Sequence, residues 1–159
     1  RVCRVAVGYQ SVDDELMILR RAVAEQAGTD TTAAIETTID ASVEPAVEEL
    51  WLSKVVDLVR ATRNHGDLRI GSSVRGAIDM VLVAGALAEV RGTPQRAPSV
   101  SLDAALVSLS GRVRLREGST RTSEEVIREL WEGVFGRSTG EDGDGEGKGG
   151  APTGATISS

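Results

Sequence analysis

The chain has 159 residues, room for one modest domain, with 40% hydrophobic and 26% charged residues, the balance of an ordinary globular protein. Aromatic residues are only 3% and the formal charge is -6, so Ala, Val, Leu and Ile carry the apolar load, as in close-packed helices, and the charge disfavours a general polyanion or nucleic-acid binder. One cysteine, Cys3, excludes an internal disulfide framework or a thiolate zinc site, and no apolar run approaches the ~18 residues of a membrane span.

In chain order, residues 2–8 mix β-branched and polar side chains in near alternation before Gly8 and predict a short strand. No second strand pattern follows, so this strand is expected to be an orphan whose partners belong to a missing core. Ser11 opens a Ser-x-x-Asp capping pattern ending at Asp14. With Leu16, Leu19 and Val23 at helical spacing, it predicts a helix over 12–26, ended by Gly28. Residues 29–43 are rich in Thr, Ala and acid without a firm period and read as a loop.

Leu52, Val55, Val56 and Val59 mark one face of a helix over 46–63. Another helix runs from near Ser73 to Val90, with Ile78, Val81, Leu82 and Ala86 expected inward and Gly92 and Pro94 closing it. After a loop over 91–99, Ser101 is placed to cap a short helix bearing Leu102, Ala105, Leu106 and Leu109. Gly111 and Gly118 then bracket the Arg-rich stretch Arg112 to Arg116. Thr122 and Glu125 form a capping-box pattern ahead of Val126, Ile127, Leu130, Trp131 and Val134. From Gly136 the composition turns to Gly, acid, Ser and Thr, too little apolar surface to offset the entropy of ordering, and a disordered tail is expected. The fold class is therefore mostly α: a helical bundle preceded by one orphan strand. Its expected divisions are 1–10, the orphan strand; 11–135, the helical domain; and 136–159, the tail.

Several phrases, in this order, resemble the end of a MoxR family AAA+ ATPase. Val5-Ala6-Val7-Gly8-Tyr9 and the acidic helix from Asp13-Asp14-Glu15 to Ile18-Leu19-Arg20-Arg21 are similar to the exit from that family's nucleotide domain, which implies that residues 1–10 are the last strand and exit of an AAA+ core. Asp57-Leu58-Val59-Arg60-Ala61-Thr62-Arg63 resembles its Leu-Val-x-Ala-Thr-Arg helix end, and Gly71-Ser72-Ser73-Val74-Arg75-Gly76 its Gly-Ala-Ser-Pro-Arg phrase. The likeness spans roughly residues 1–130. Gln10 stands where the family has Pro, Val74 replaces the Pro before the sensor arginine, and Gly111-Arg112-Val113 lies where a His-Arg-hydrophobic phrase is usual, departures that mark a divergent subfamily.

The resemblance implies a helical AAA+ lid whose Arg75 is the second sensor arginine, extended toward a nucleotide phosphate, with Gly71 and Ser73 flanking it. A guanidinium suits that task because it keeps its charge and donates several hydrogen bonds. It also implies ATP and Mg2+ in the intact parent and a ring, commonly a hexamer, in which the lid meets its own core and neighbouring subunits. The implied activity is chaperone-like remodelling or maturation of client enzymes with von Willebrand factor A domain partners. The chain itself contains no Gly-x-x-x-x-Gly-Lys-Ser/Thr phosphate loop and no Walker-type acidic strand, so it is read as a non-catalytic fragment, with Arg rather than Met at position 1. A cytoplasmic location is the expectation, given the lone cysteine and no visible signal peptide.

Three further readings compete. The chain could be a free-standing helical interaction module, giving Arg75 no phosphate to meet. It could be the lid of a magnesium chelatase subunit, within the same class, or a helix-turn-helix nucleic-acid binder, which the acidic body disfavours. His65, the only histidine, is expected as a solvated loop residue. Trp51 and Trp131 are expected as core or interface anchors, and Arg112, Arg114, Arg116 and Arg121 either as contacts to a partner or as a solvated loop beside Glu117, Glu124 and Glu125.

Overall fold

Ser11 starts the first helix by satisfying its otherwise orphaned amides. Its Oγ accepts the Asp14 N–H at 3.1 Å and donates to Asp14 Oδ2 at 2.7 Å, and acids at 13, 14 and 15 complement the positive end of the helix dipole. A computed structural model of the chain describes residues 8–26 and 45–136. Residues 2–7 of the predicted strand, the loop over 29–43 and residues 137–159 of the predicted tail over 136–159 lie outside those residues. Among the described residues the fold is mostly helical, comprising α1 (Val12–Gln26), α2 (Pro45–Asn64), β1 (Leu68–Ile70), α3 (Val74–Arg91), α4 (Pro98–Leu109), β2 (Arg114–Leu115) and α5 (Ser123–Phe135). No helix among them is long and apolar enough to cross a membrane.

Helix α2 is the spine, packing on α1, α3, α5 and β1, and its apolar residues bury along one broad face: Trp51, Leu52, Val55, Val56, Leu58 and Val59. The four positions expected from periodicity, Leu52, Val55, Val56 and Val59, are all buried. Helix α3 packs chiefly on α4, and its buried stripe is Gly76, Ala77, Met80, Val81 and Ala84. The expected inward set is corrected here: Val81 is buried, Ile78 and Leu82 are half-buried, and Ala86 is exposed. Small residues lie in the contact because they let two helices approach closely, so the buried stripe runs through Gly76, Ala77 and Ala84 rather than through Ile78 and Leu82.

Helix α4 also differs from expectation. It begins at Pro98 after Ala97, three residues before Ser101, because a proline at the first helical position gives up no hydrogen bond. Ser101 is instead fully buried, and its Oγ accepts the Trp131 indole N–H at 3.1 Å, tying α5 to α4. The capping box of α5 forms as predicted: Thr122 Oγ1 accepts the Glu125 N–H at 3.2 Å while the Thr122 N–H donates to Glu125 Oε2 at 2.7 Å. Helix α3 ends at Gly92, whose left-handed φ of 60° suits glycine and lets its neighbourhood recapture the carbonyls of Ala88 and Glu89.

Strands after residue 10 were not expected, and here too the structure departs from the prediction. β1 and β2 pair antiparallel, Leu68 opposite Leu115 and Ile70 opposite Arg114, with an irregularity between, and the Arg116 N–H adds a bond to Asp67 O at 2.8 Å. Runs of three and two residues are too short to show alternation. Their pairing is set by where α2–α3 and α4–α5 leave the chain, with Leu68 and Val113 buried beneath.

Candidate functional site

The start of α3 is held by a junction that the sequence did not announce. Thr62, fully buried in the last turn of α2, donates its hydroxyl to Val59 O at 2.6 Å and accepts the Ser72 N–H at 2.8 Å. Arg63 Nε donates to Ser72 O at 2.8 Å, so the 62–63 and 71–72 segments are laced together by side chain to backbone bonds. Gly71 lies so close that a Cβ there would meet Arg63 Cα and N at 2.6 Å. Its glycine is thus required by contact with helix backbone. Gly76 is similarly confined: an added Cβ would meet Leu109 Cδ2 at 2.8 Å and the Ser72 hydroxyl closer still.

Beneath this junction Glu15 is 1% exposed, and it faces two arginines of the α2 phrase. Arg60 Nη1 donates to Glu15 Oε2 at 3.0 Å and to Gln10 O at 3.2 Å. Arg63 Nη2 stands 2.7 Å from Glu15 Oε1 outside hydrogen-bond alignment, so that contact is ionic. The Arg63 guanidinium also lies 3.9 Å from the Tyr9 ring centroid, a cation–π contact. The Tyr9–Gln10 segment and the Arg60–Arg63 phrase, 50 residues apart, therefore meet as one unit. Sequence reading saw both phrases but missed Glu15 as their link. An acid within an otherwise apolar helical face was the available signal.

Arg75 stands in the first turn of α3 and is exposed; among the described residues it makes no ion pair. Ser73 precedes the helix in extended conformation, and its hydroxyl makes no capping bond. No acid lies in that first turn, so Arg75 faces the positive end of the helix dipole uncompensated, an unfavourable placement. Gly71, Ser72 and Ser73 border a shallow depression of ≈ 310 Å3 with Gly111, Arg112 and Arg114. Arg112 pairs with Asp79 of α3, while Arg114 Nη1 donates to Gly111 O and Val113 O, each at 3.0 Å. The structure thus brings Gly71 and Ser73 together with two arginines of the 112–116 stretch.

Arg121 and the lone histidine form a second network. Arg121 reaches Glu129 Oε2 at 2.5 Å and Asp67 Oδ2 at 3.3 Å, holding the Glu129 carboxyl below its usual range, chiefly by hydrogen bonding. His65 does not sit in solvent as expected: its side chain is 14% exposed, 3.7 Å from Glu129, and its Nδ1 accepts the Asp67 N–H at 3.2 Å. The network closes the α2–β1 turn against α5. Trp51 is an anchor of the core at 5% exposure, and Trp131 stacks on Phe135 with centroids 5.3 Å apart.

Among the described residues, no cluster of three or more His, Cys, Asp or Glu side chains stands ready to hold a metal ion. No family model, curated protein or solved structure matches the chain.

Proposed function

We propose that this chain is the lid portion of a MoxR-like AAA+ ATPase, with Arg75 reaching toward a nucleotide phosphate bound on a core that the chain does not contain. The observation that carries the reading is Arg75 itself: an exposed guanidinium without an ion pair among the described residues, in the first turn of a helix whose start is braced by Thr62 and Gly71. A bound phosphate would offset both the unpaired cation and the orphaned amides of that turn. Arg75 and the Ser73–Val74 end of α3 offer donors suited to an oxyanion, and the depression beside Ser73 is lined by two further arginines, Arg112, paired with Asp79, and Arg114. ATP supplies the phosphoryl group and Mg2+ charge neutralisation; in this reading both are held by the core.

Tyr9 and Gln10, seated on Arg63 and Arg60, support the same reading, because they couple the core exit to the arginine phrase that braces α3. Movement of the exit would be passed to Arg75 through the Thr62–Ser72 bond. Ring assembly, client remodelling and von Willebrand factor A domain partners follow from the family resemblance and belong to the proposal. A helical interaction module is the second reading, favoured by an apolar groove between α2 and α5 described below.

The test begins with the coding sequence upstream of Arg1, in which a phosphate loop and Walker-type acidic strand are expected. In that longer protein, Arg75→Ala is expected to lower ATP turnover roughly ten- to hundredfold, the loss of one charge-assisted hydrogen bond in the transition state. Arg69→Ala, on exposed β1, is the control. Turnover unchanged by Arg75→Ala would defeat the sensor role.

A further inference from the structure

The surface between α2 and α5 carries a feature that the lid reading does not use. Leu50, Trp51, Trp131 and Phe135 line an apolar groove of ≈ 230 Å3, with Lys54 and Arg96 bringing positive charge to it. Leu50 is 43% exposed, and the Trp51 indole N–H is buried without an acceptor among the described residues. Lys54 Nζ stands 5.9 Å from the Phe135 ring centroid, and Arg96 also acts on Glu48. Lys54 over the Phe135 ring and Arg96 at the rim, on a chain of net charge -6, make this surface selective for an acidic segment.

Such a segment is covalently attached at the groove. The chain leaves α5 at Phe135, itself a wall of the groove, and within a few residues reaches Gly140-Glu141-Asp142-Gly143-Asp144-Gly145-Glu146-Gly147. Four carboxylates in six residues supply the complementary charge. The interspersed glycines, having no Cβ, let backbone carbonyls approach aromatic rings closely. A Gly-rich chain of six residues spans roughly 12–15 Å, enough to fold back from Phe135, and short tethers give effective concentrations on the order of millimolar. Attraction too weak to hold a free peptide is therefore sufficient here.

We propose that the acidic segment 141–146 docks across this groove in extended form, its carboxylates facing Lys54 and Arg96 and its backbone lying over Trp51 and Trp131. The proposal is independent of the ATPase reading. It is local, charge-driven and reversible by salt, and it covers apolar surface that would otherwise stay open to solvent or to another protein.

Intrinsic fluorescence tests it on the full chain, because Trp51 and Trp131 are the only tryptophans and both line the groove. Quenching by acrylamide, an uncharged probe, is compared between the native chain and a variant carrying Glu141→Lys, Asp142→Lys, Asp144→Lys and Glu146→Lys. At low salt the reversed tail is expected to raise the quenching constant about twofold, and near 1 M salt, where the screening length is ~3 Å, the native chain is expected to match it. Adding Lys54→Glu and Arg96→Glu to the reversed tail restores protection, an outcome that general destabilisation cannot produce. Equal quenching of native and tail-reversed chains at low salt overturns the proposal. Protection that grows with protein concentration also overturns it, in favour of a second copy as the occupant.

Discussion

Gly71→Ala isolates the junction that positions Arg75. The new methyl carbon would stand 2.6 Å from Arg63 Cα and N and 2.7 Å from the Thr62 carbonyl carbon, all helix backbone, which cannot swing aside as a side chain can. The 71–72 segment cannot retreat either without stretching the Ser72 N–H to Thr62 bond and the Arg63 to Ser72 carbonyl bond. Overpacking of this kind costs about 1–3 kcal/mol, and losing one of the two bonds adds about 1 kcal/mol. Gly66→Ala is the internal control: nothing lies within 4 Å of its added carbon, and among the described glycines only Gly92 and Gly118 have positive φ. It should fall within about 1 kcal/mol of the parent, on the stabilising side. Urea unfolding followed by tryptophan fluorescence measures both, and the midpoint should fall for Gly71→Ala at constant slope. A Gly71→Ala chain as stable as Gly66→Ala would refute the close-approach argument.

Glu15→Gln should destabilise by about 3–5 kcal/mol, because it leaves Arg63, whose side chain is 8% exposed, without its counter-charge; a double-mutant cycle with Arg63→Met measures the coupling. Arg75→Glu should raise stability by about 0.3–1 kcal/mol, since it replaces a cation with an anion at the positive end of α3, and thermal melts at low salt will show it. On the proposed lid reading, the same change in a chain that carries a nucleotide core should lower ATP turnover, so that stability and turnover move in opposite directions. Two carboxylates should respond to pH with opposite signs. Glu129, held below its ordinary value by Arg121, contributes stability that is present above the unfolded pKa and lost as pH falls through the lower folded one. Glu129→Gln therefore weakens the fold near neutrality and becomes silent in acid. Glu48 is pushed above 4.5, chiefly by burial, so its ionisation opposes folding as pH rises past that value. Glu48→Gln should stabilise at neutral pH, and the gain should vanish in acid; a gain that persists at pH 3 would contradict the burial cause.

Local chemistry was readable from the residues alone. Ser11 with Asp14, Thr122 with Glu125 and Gly92 act through neighbours a few positions away, so their patterns carry the helix ends to within a residue. The α2 face was legible for a related reason: its large apolar residues recur at helical spacing on the one broad face that meets α1, α3 and α5. The α3 face was not, because its partner is α4 and the contact selects Gly76, Ala77 and Ala84 for their smallness, a preference that exists only once two helices are brought together. Pro98 outranked Ser101 as the start of α4 because Trp131, 30 residues away, claims the serine hydroxyl.

The sequence by itself determined a mostly helical chain, its capped helix ends and the exposed arginine at the head of α3, since these depend on propensity, capping and charge within a few residues. Tertiary structure alone decided that Glu15 would be buried beneath Arg60 and Arg63, that Gly71 would have no room for a side chain, that His65 would leave solvent, and that Leu68 would pair with Leu115. Each of these joins segments distant in sequence, where the free energy of a contact depends on what packing brings within a few ångströms rather than on the residue's own preference.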